Sequence, residues 1–405
     1  MSGAKARPVW LVILAGALIV SLAMGVRQSF GLFLSPMTTD LGLGREAFAL
    51  ALAVQNLIWG MAQPFAGMIA DRYGSGRTLF AGALFYVAGL MVMAKAEGLF
   101  GVQAGGGVLI GFALAGVTFS VVLGAVGQVV SEERRSLAFG VTTAGGSLGM
   151  ALMGPIGQQM IAAQGWSGAL TTMAALAALM ALAATLLTGR GGDGYGVDDA
   201  ERAVARSLGA ALREAGAHAG YRYLTLGFFV CGFHVAFIGV HLPAYVTDVG
   251  LRPQVGAYAL ALIGFFNIIG SFIAGWVGGR YSKKYSLSVL YGLRALVFLI
   301  FLFAPKTELT VYVFSAVIGL LWLSTVPLTS GLVAQIFGVR YMSTLFGIVF
   351  FSHQIGSFVG VWWGGWLFDH FGSYDLMWMA SVVMGIVSAL LHLPIHETAG
   401  RPQAA

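Results

Sequence analysis

The residues of this sequence that could do chemistry are few, and they lie inside apolar runs. Arg27 stands within Val9–Leu34, Arg294 within Ser286–Ala304, His234 and His241 within Tyr221–Val246, and His353 within Tyr341–Leu367. No acidic residue accompanies them at depth, because each Asp and Glu falls between runs or at the end of one. A guanidinium does not discharge itself by losing a proton, and its planar fork of N–H donors matches a carboxylate at two points. An uncompensated positive site of this kind suits an anion, and a small organic acid is the natural guest. The alternative is a structural arginine that snorkels to the surface or bonds backbone carbonyls. Arg294, in the middle of a short run, leans toward that second role.

The histidines offer a different chemistry. His234 and His241 are seven residues apart, which on a helix places them on one face about 10 Å from each other. Imidazole titrates near neutral pH, so His234, His241 and His353 are candidates for carrying a proton where carboxylates are missing. The competing role for each is a hydrogen-bonded histidine that joins two helices. No close His, Cys and acid spacing supports a metal, and the single Cys231 excludes an internal disulfide and argues against redox chemistry.

The elements that must position these residues are membrane helices. The chain has 405 residues, of which 58% are hydrophobic and 9% charged, against about 25% charged in soluble domains. Apolar runs near the 20 residues needed to cross a bilayer recur about twelve times, from Val9–Leu34 to Tyr374–Pro394. The first is longer than a signal peptide and is expected to be retained. With the N-terminus in the cytoplasm, most Lys and Arg residues fall on one side, while Arg45, Lys95, Arg252 and Lys306 fall on the other. The positive-inside rule therefore predicts an inner-membrane protein with both termini cytoplasmic, and it accounts for the net charge of +6 without a nucleic-acid partner.

The one long break is glycine-rich from Gly189 to Gly196 and then charged and alanine-rich, which predicts a linker with a short surface helix. It divides the chain into a six-helix bundle over 1–188, a cytoplasmic linker over 189–220 and a second six-helix bundle over 221–405. The halves repeat. Gly67, Arg72 and Tyr73 match Gly275, Arg280 and Tyr281 at one constant offset, and nearly the same offset relates Gly111 to Gly319 and Phe139-Gly140 to Phe346-Gly347. Such duplication is a transporter architecture. Small residues such as Gly145, Gly149 and Gly154 are spaced for close helix packing, and no strand precedes Gly105–Gly107, so no phosphate-cradling loop and no cofactor are expected.

Gly67-x-x-x-Asp71-Arg72-x-Gly74 followed by Arg77 resembles the signature between the second and third helices of the major facilitator superfamily, and Gly149-x4-Gly154-Pro155-x-Gly157 resembles its fifth-helix motif. Gly25-Val-Arg27, Gly232-Phe-His234 and Leu323-Ser324-Thr325-Val-Pro327 are similar to the bacterial monocarboxylate and oxalate/formate porters. The superfamily's fourth-helix arginine is absent here. So are the eighth-helix Asp and Arg of proton-linked carriers, in whose place the sequence offers Asn267.

The resemblance implies an all-α membrane protein of about twelve helices in two pseudo-repeat bundles. It also implies that helices one, four, seven and ten line a cavity, which makes Arg27, Thr118, His234, Asn267, Ser324, His353 and Gln354 candidates for substrate contact. It further implies a conformational latch of Asp71, Arg72 and Arg77 with acids such as Glu132 or Glu133, repeated more weakly at Arg280, where Gly279 replaces the Asp. The expected activity is secondary transport of a monocarboxylate or short dicarboxylate by a monomer, with H+ or by exchange. Efflux of an apolar or cationic compound and a membrane receptor are the alternatives, and an enzyme is not expected.

Overall fold

The computed structural model describes residues 8–130, 132–187, 212–337 and 342–397, and among these it contains helices and no strand. The helices are α1 (Val9–Ser29), α2 (Leu34–Leu41), α3 (Arg45–Tyr73), α4 (Ser75–Ala94), α5 (Leu99–Val102), α6 (Ile110–Val117), α7 (Phe119–Val129), α8 (Glu132–Leu186), α9 (Ala219–Asp248), α10 (Pro253–Arg280), α11 (Lys283–Phe303), α12 (Glu308–Leu321), α13 (Thr325–Phe337), α14 (Met342–Phe371) and α15 (Asp375–His392). A one-turn 3-10 segment over Phe30–Phe33 joins α1 to α2, and a π-helical stretch over Gln103–Leu109 joins α5 to α6. The linker expected over 189–220 lies outside the described residues as far as 211, after which a short, mostly exposed helix covers 212–217.

Among the described residues, ten stretches are long and apolar enough to cross a bilayer. One of them, Ala138–Leu186, has 49 residues. At 1.5 Å per residue that is about 73 Å, over twice a hydrocarbon core of roughly 30 Å, so it makes two passes. The turn between them falls at Gly165, whose φ of 69° lies in the left-handed region open to glycine. The 29-residue α3 is not among the ten, because Gln55, Asn56 and Gln63 dilute it, yet it is long enough to cross. Together these give the twelve passes expected. Large apolar side chains such as Phe272, Phe303 and Leu309 are more than two-thirds exposed, which is the arrangement lipid rather than water favours.

The chain divides into two compact units, Met1–Asp193 with Gly239–Phe265, and Gly194–Ile238 with Phe266–Ala405. In the first unit α1 lies against α8 at backbone contact. A Cβ on Gly149 would overlap the Ser21 carbonyl, and one on Gly145 would sit 2.7 Å from Ala17 O. In the second unit α9 lies against α14 in the same way, with Gly356 on the Phe229 carbonyl, Gly360 on the Phe233 carbonyl and Gly232 on the His353 carbonyl. Small residues let helices approach this closely where no hydrophobic force drives them together. Gly74 closes the signature segment with φ 97° and turns α3 into α4.

Candidate functional site

The first unit contains Arg27, in the last turn of α1 and half-buried. Its guanidinium donates from Nη2 to Asn56 Oδ1 at 2.5 Å, and its Cζ lies 5.0 Å from the ring centroid of Trp59. Asn56 and Trp59 are three residues apart on α3, the spacing that puts two side chains on one face. The Trp59 indole donates from Nε1 to Thr118 Oγ1 at 3.3 Å. Thr118 stands at the break between α6 and α7 with extended φ and ψ, and its hydroxyl donates to Leu114 O at 2.7 Å. Arg27, Asn56, Trp59 and Thr118 thus form one connected set. Tyr86 supports the neighbouring turn of α1 by donating to Ala23 O at 2.9 Å.

Of this set, the sequence points to Arg27 and Thr118 as substrate contacts and not to Asn56 or Trp59. Their spacing on the second span was the available signal. Arg27 Nε is buried with no hydrogen-bond partner, and no acidic side chain bonds the guanidinium among the described residues. The cation is therefore held by a neutral amide on one edge and an aromatic face, with N–H donors left over.

In the second unit His353 lies on α14 between Phe228 and Phe350, at centroid distances of 5.1 and 5.5 Å, and its Nδ1 has no partner. Gln354 beside it is fully buried with both amide atoms unpartnered. His234 is 1% exposed, with Nε2 2.9 Å from Ser381 O and its ring edge-on to Phe298. His241 is buried on the same helix, but in the first unit.

Asn267 and Ser324 meet at a second helix break, between α12 and α13. Leu323 N donates to Asn267 Oδ1 at 3.1 Å, and Ser324 Oγ donates to Leu320 O at 2.6 Å. Arg294 serves the same break. Its Nε and Nη2 donate to Leu321 O at 3.1 and 2.5 Å, and Nη2 also reaches Trp322 O. A cation on the last carbonyls of α12 complements the negative end of that helix. Backbone carbonyls are thus partners of Arg294 Nε and Nη2, while its Nη1 is buried with no partner.

The latch residues stand at helix ends. Arg72, Arg77 and Arg280 are exposed, with Arg72 over the Tyr73 ring at 5.3 Å and Arg280 over the Trp276 ring at 4.7 Å. The side chains of Asp71, Glu132 and Glu133 lie outside the described residues. Within the first unit Arg45 and Asp248 form a two-point ion pair, with both N–O distances 2.6 Å.

A family model described as Major Facilitator Superfamily matches residues 16–361 and 224–404. The chain is 26% identical over 400 residues to the uncharacterized MFS-type transporter YcxA of Bacillus subtilis (strain 168), covering 95% of this chain and 94% of that protein. It is 21% identical to the oxalate:formate antiporter of Oxalobacter formigenes, with 97% and 93% covered, and 22% identical to monocarboxylate transporter 12 of Rattus norvegicus, with 94% and 84% covered. Among solved structures, the fold matches that of a bacterial homolog of the human lysosomal transporter Spinster, with a TM-score of 0.78, 15% identity, and 96% and 97% of the two chains covered.

Proposed function

Since the chain belongs to the Major Facilitator Superfamily, a family of membrane transporters and not of enzymes, we propose that it moves a small organic anion, a monocarboxylate or short dicarboxylate, by alternating access. The observation that carries this reading is Arg27, a charge within an apolar span whose partners are a neutral amide and an indole face. A charged side chain at membrane depth costs about 2.5–3.5 kcal/mol on insertion scales. A carboxylate that pairs with the fork offsets that cost while it is bound, and the pair is of the strong, charge-assisted kind. A cationic substrate would be repelled by the same group. The names of the monocarboxylate transporter and oxalate:formate antiporter relatives support the anion class.

In this reading Arg27 binds the carboxylate, with Thr118 beside it through Trp59. The unpartnered polar atoms of His353 and Gln354 are groups the second unit offers to a substrate or proton, and His234 and His241 are further titratable groups at depth. Coupling is to H+ through the histidines or by exchange of anions. Asn267 and Ser324 act by shaping the break between α12 and α13, and Arg72, Arg77 and Arg280 act as gates at helix ends. The charge distribution supports an inner-membrane location with cytoplasmic termini.

The test is uptake of radiolabelled formate, lactate, pyruvate and oxalate into proteoliposomes by wild type and Arg27→Gln. Uptake of one acid that vanishes in a folded variant supports the reading. No uptake by wild type, or full uptake by the variant, overturns it.

A further inference from the structure

Asn56 is 2% exposed and has both ends of its amide committed. Nδ2 donates to Leu52 O at 2.7 Å, one turn back on α3, while Oδ1 accepts from Arg27 Nη2 at 2.5 Å. The first bond fixes the orientation of the amide, because an oxygen turned toward Leu52 O would set two acceptors against each other. The carbonyl oxygen therefore faces the guanidinium. Trp59 covers the guanidinium's face and is itself held by Thr118. With one edge and one face fixed, the unpartnered Nε of a half-buried Arg27 is held ready for a partner.

We propose that Asn56 is a positioning residue of the anion site, aiming the Arg27 fork without cancelling its charge. The proposal rests on the reading of Arg27 as the ligand of the anion. Asparagine and aspartate have nearly the same shape, so the choice between them here is one of charge and of the donor that meets Leu52 O. A carboxylate at position 56 would lose the bond to Leu52 O and pair with the guanidinium ion to ion, more strongly than the neutral amide does. The site would then hold its own internal anion, and an external one would have to displace it. Alanine removes the bond and lets the fork swing about its long side chain, which lowers affinity without adding a competitor.

The KM of Asn56→Ala separates positioning from a structural role. Asn56→Asp also loses the bond to Leu52 O, so its loss of uptake alone does not tell the two roles apart. If Asn56 only packed α3 against α1, the folded fraction of Asn56→Ala would keep the wild-type KM, whereas positioning predicts a raised KM.

The experiment extends the same uptake assay, with formate, lactate, pyruvate and oxalate as probes, to Asn56→Asp and Asn56→Ala, checking each variant by size-exclusion profile and melting temperature. The expected result is that Asn56→Asp loses uptake, whereas Asn56→Ala raises KM by roughly tenfold, the loss of one modest interaction, with its maximal rate little changed. Wild-type-like uptake by Asn56→Asp, or an unchanged KM in Asn56→Ala, would overturn the proposal even where Arg27→Gln is inactive. If Asn56→Asp fails to fold, the Asn56→Ala split between KM and rate decides alone. A wild type that takes up none of the four acids, or an active Arg27→Gln, would instead remove the anion reading and the proposal with it.

Discussion

Arg27 and His234 hold the same place in the two halves of the chain. Each follows by two residues a glycine, Gly25 or Gly232, that packs against the fifth helix of its own half, Gly25 on the Gly149 carbonyl and Gly232 on the His353 carbonyl. Their surroundings differ. Arg27 is half-buried against a side-chain amide and an indole face, whereas His234 is buried against a backbone carbonyl. The duplicated scaffold thus supplies two equivalent positions, and the charge at one of them is left without an internal anion.

That arrangement makes the fork, and not only the charge, the functional feature of Arg27. Arg27→Lys keeps a positive centre but loses the planar pair of donors. Hydrogen bonds to charged groups contribute about 1.5–3 kcal/mol, so losing one should raise KM by roughly ten- to a hundredfold. Uptake kinetics of the two variants, each confirmed folded, should rank wild type above Arg27→Lys and Arg27→Lys above Arg27→Gln. Equal activity of Arg27→Lys and wild type would show that point charge alone suffices.

Gly149 and Gly356 should tolerate no side chain. A Cβ at either would overlap a carbonyl oxygen, of Ser21 or of Phe229, and backbone cannot give way as a flexible side chain can. Overpacking costs about 1–3 kcal/mol where a core can still adjust. Gly149→Val and Gly356→Val should therefore lower the melting temperature in detergent, while Gly140→Ala, at a position with open space, should leave it unchanged.

Much of this architecture was legible in the sequence, and what was not has physical causes. Twelve passes follow from apolar runs of bilayer length, and Arg27 is conspicuous because charge is rare within such runs. The breaks at Thr118 and at Trp322–Ser324 leave no trace in hydropathy, since both lie inside unbroken apolar stretches. Asn56 and Trp59 become partners of Arg27 through the rotation of α3 relative to α1, which packing sets and local sequence does not. Arg294 bonds main-chain carbonyls, and main-chain acceptors carry no sequence signature.

The Arg45–Asp248 pair has good geometry but is partly exposed, 14% and 27% for the two side chains. Pairs of this kind contribute about 0.2–1 kcal/mol and weaken as salt screens them. Asp248→Asn should lower the melting temperature only slightly, by less at high salt than at low, and the charge-reversed double variant Arg45→Asp with Asp248→Arg should recover most of the loss. A large, salt-independent loss would mean that Asp248 acts through packing.

His353 has an unpartnered ring nitrogen, as His234 and His392 do, and it lies between two phenylalanines. If His353 carries the coupled proton, wild-type uptake should vary with external pH, and His353→Gln should keep uptake by exchange while losing the pH response. Profiles of wild type and variant that superimpose would remove His353 from coupling.

Arg294 makes the opposite prediction from Arg27. Its Nε and Nη2 are committed to the carbonyls of Leu321 and Trp322 at the end of α12, while Nη1 is unpartnered, so removing the side chain leaves buried acceptors unmet. A buried unsatisfied group costs about 1–3 kcal/mol, offset in part by the relief of no longer burying a charge. Arg294→Met should therefore lower the melting temperature, and Arg294→Lys, which offers a compact set of donors, should restore part of it. KM for the transported acid should stay near the wild-type value in whatever fraction remains folded. A raised KM with an unchanged melting temperature would make Arg294 a second ligand of the anion, and the break in the tenth span would then be part of the binding chemistry.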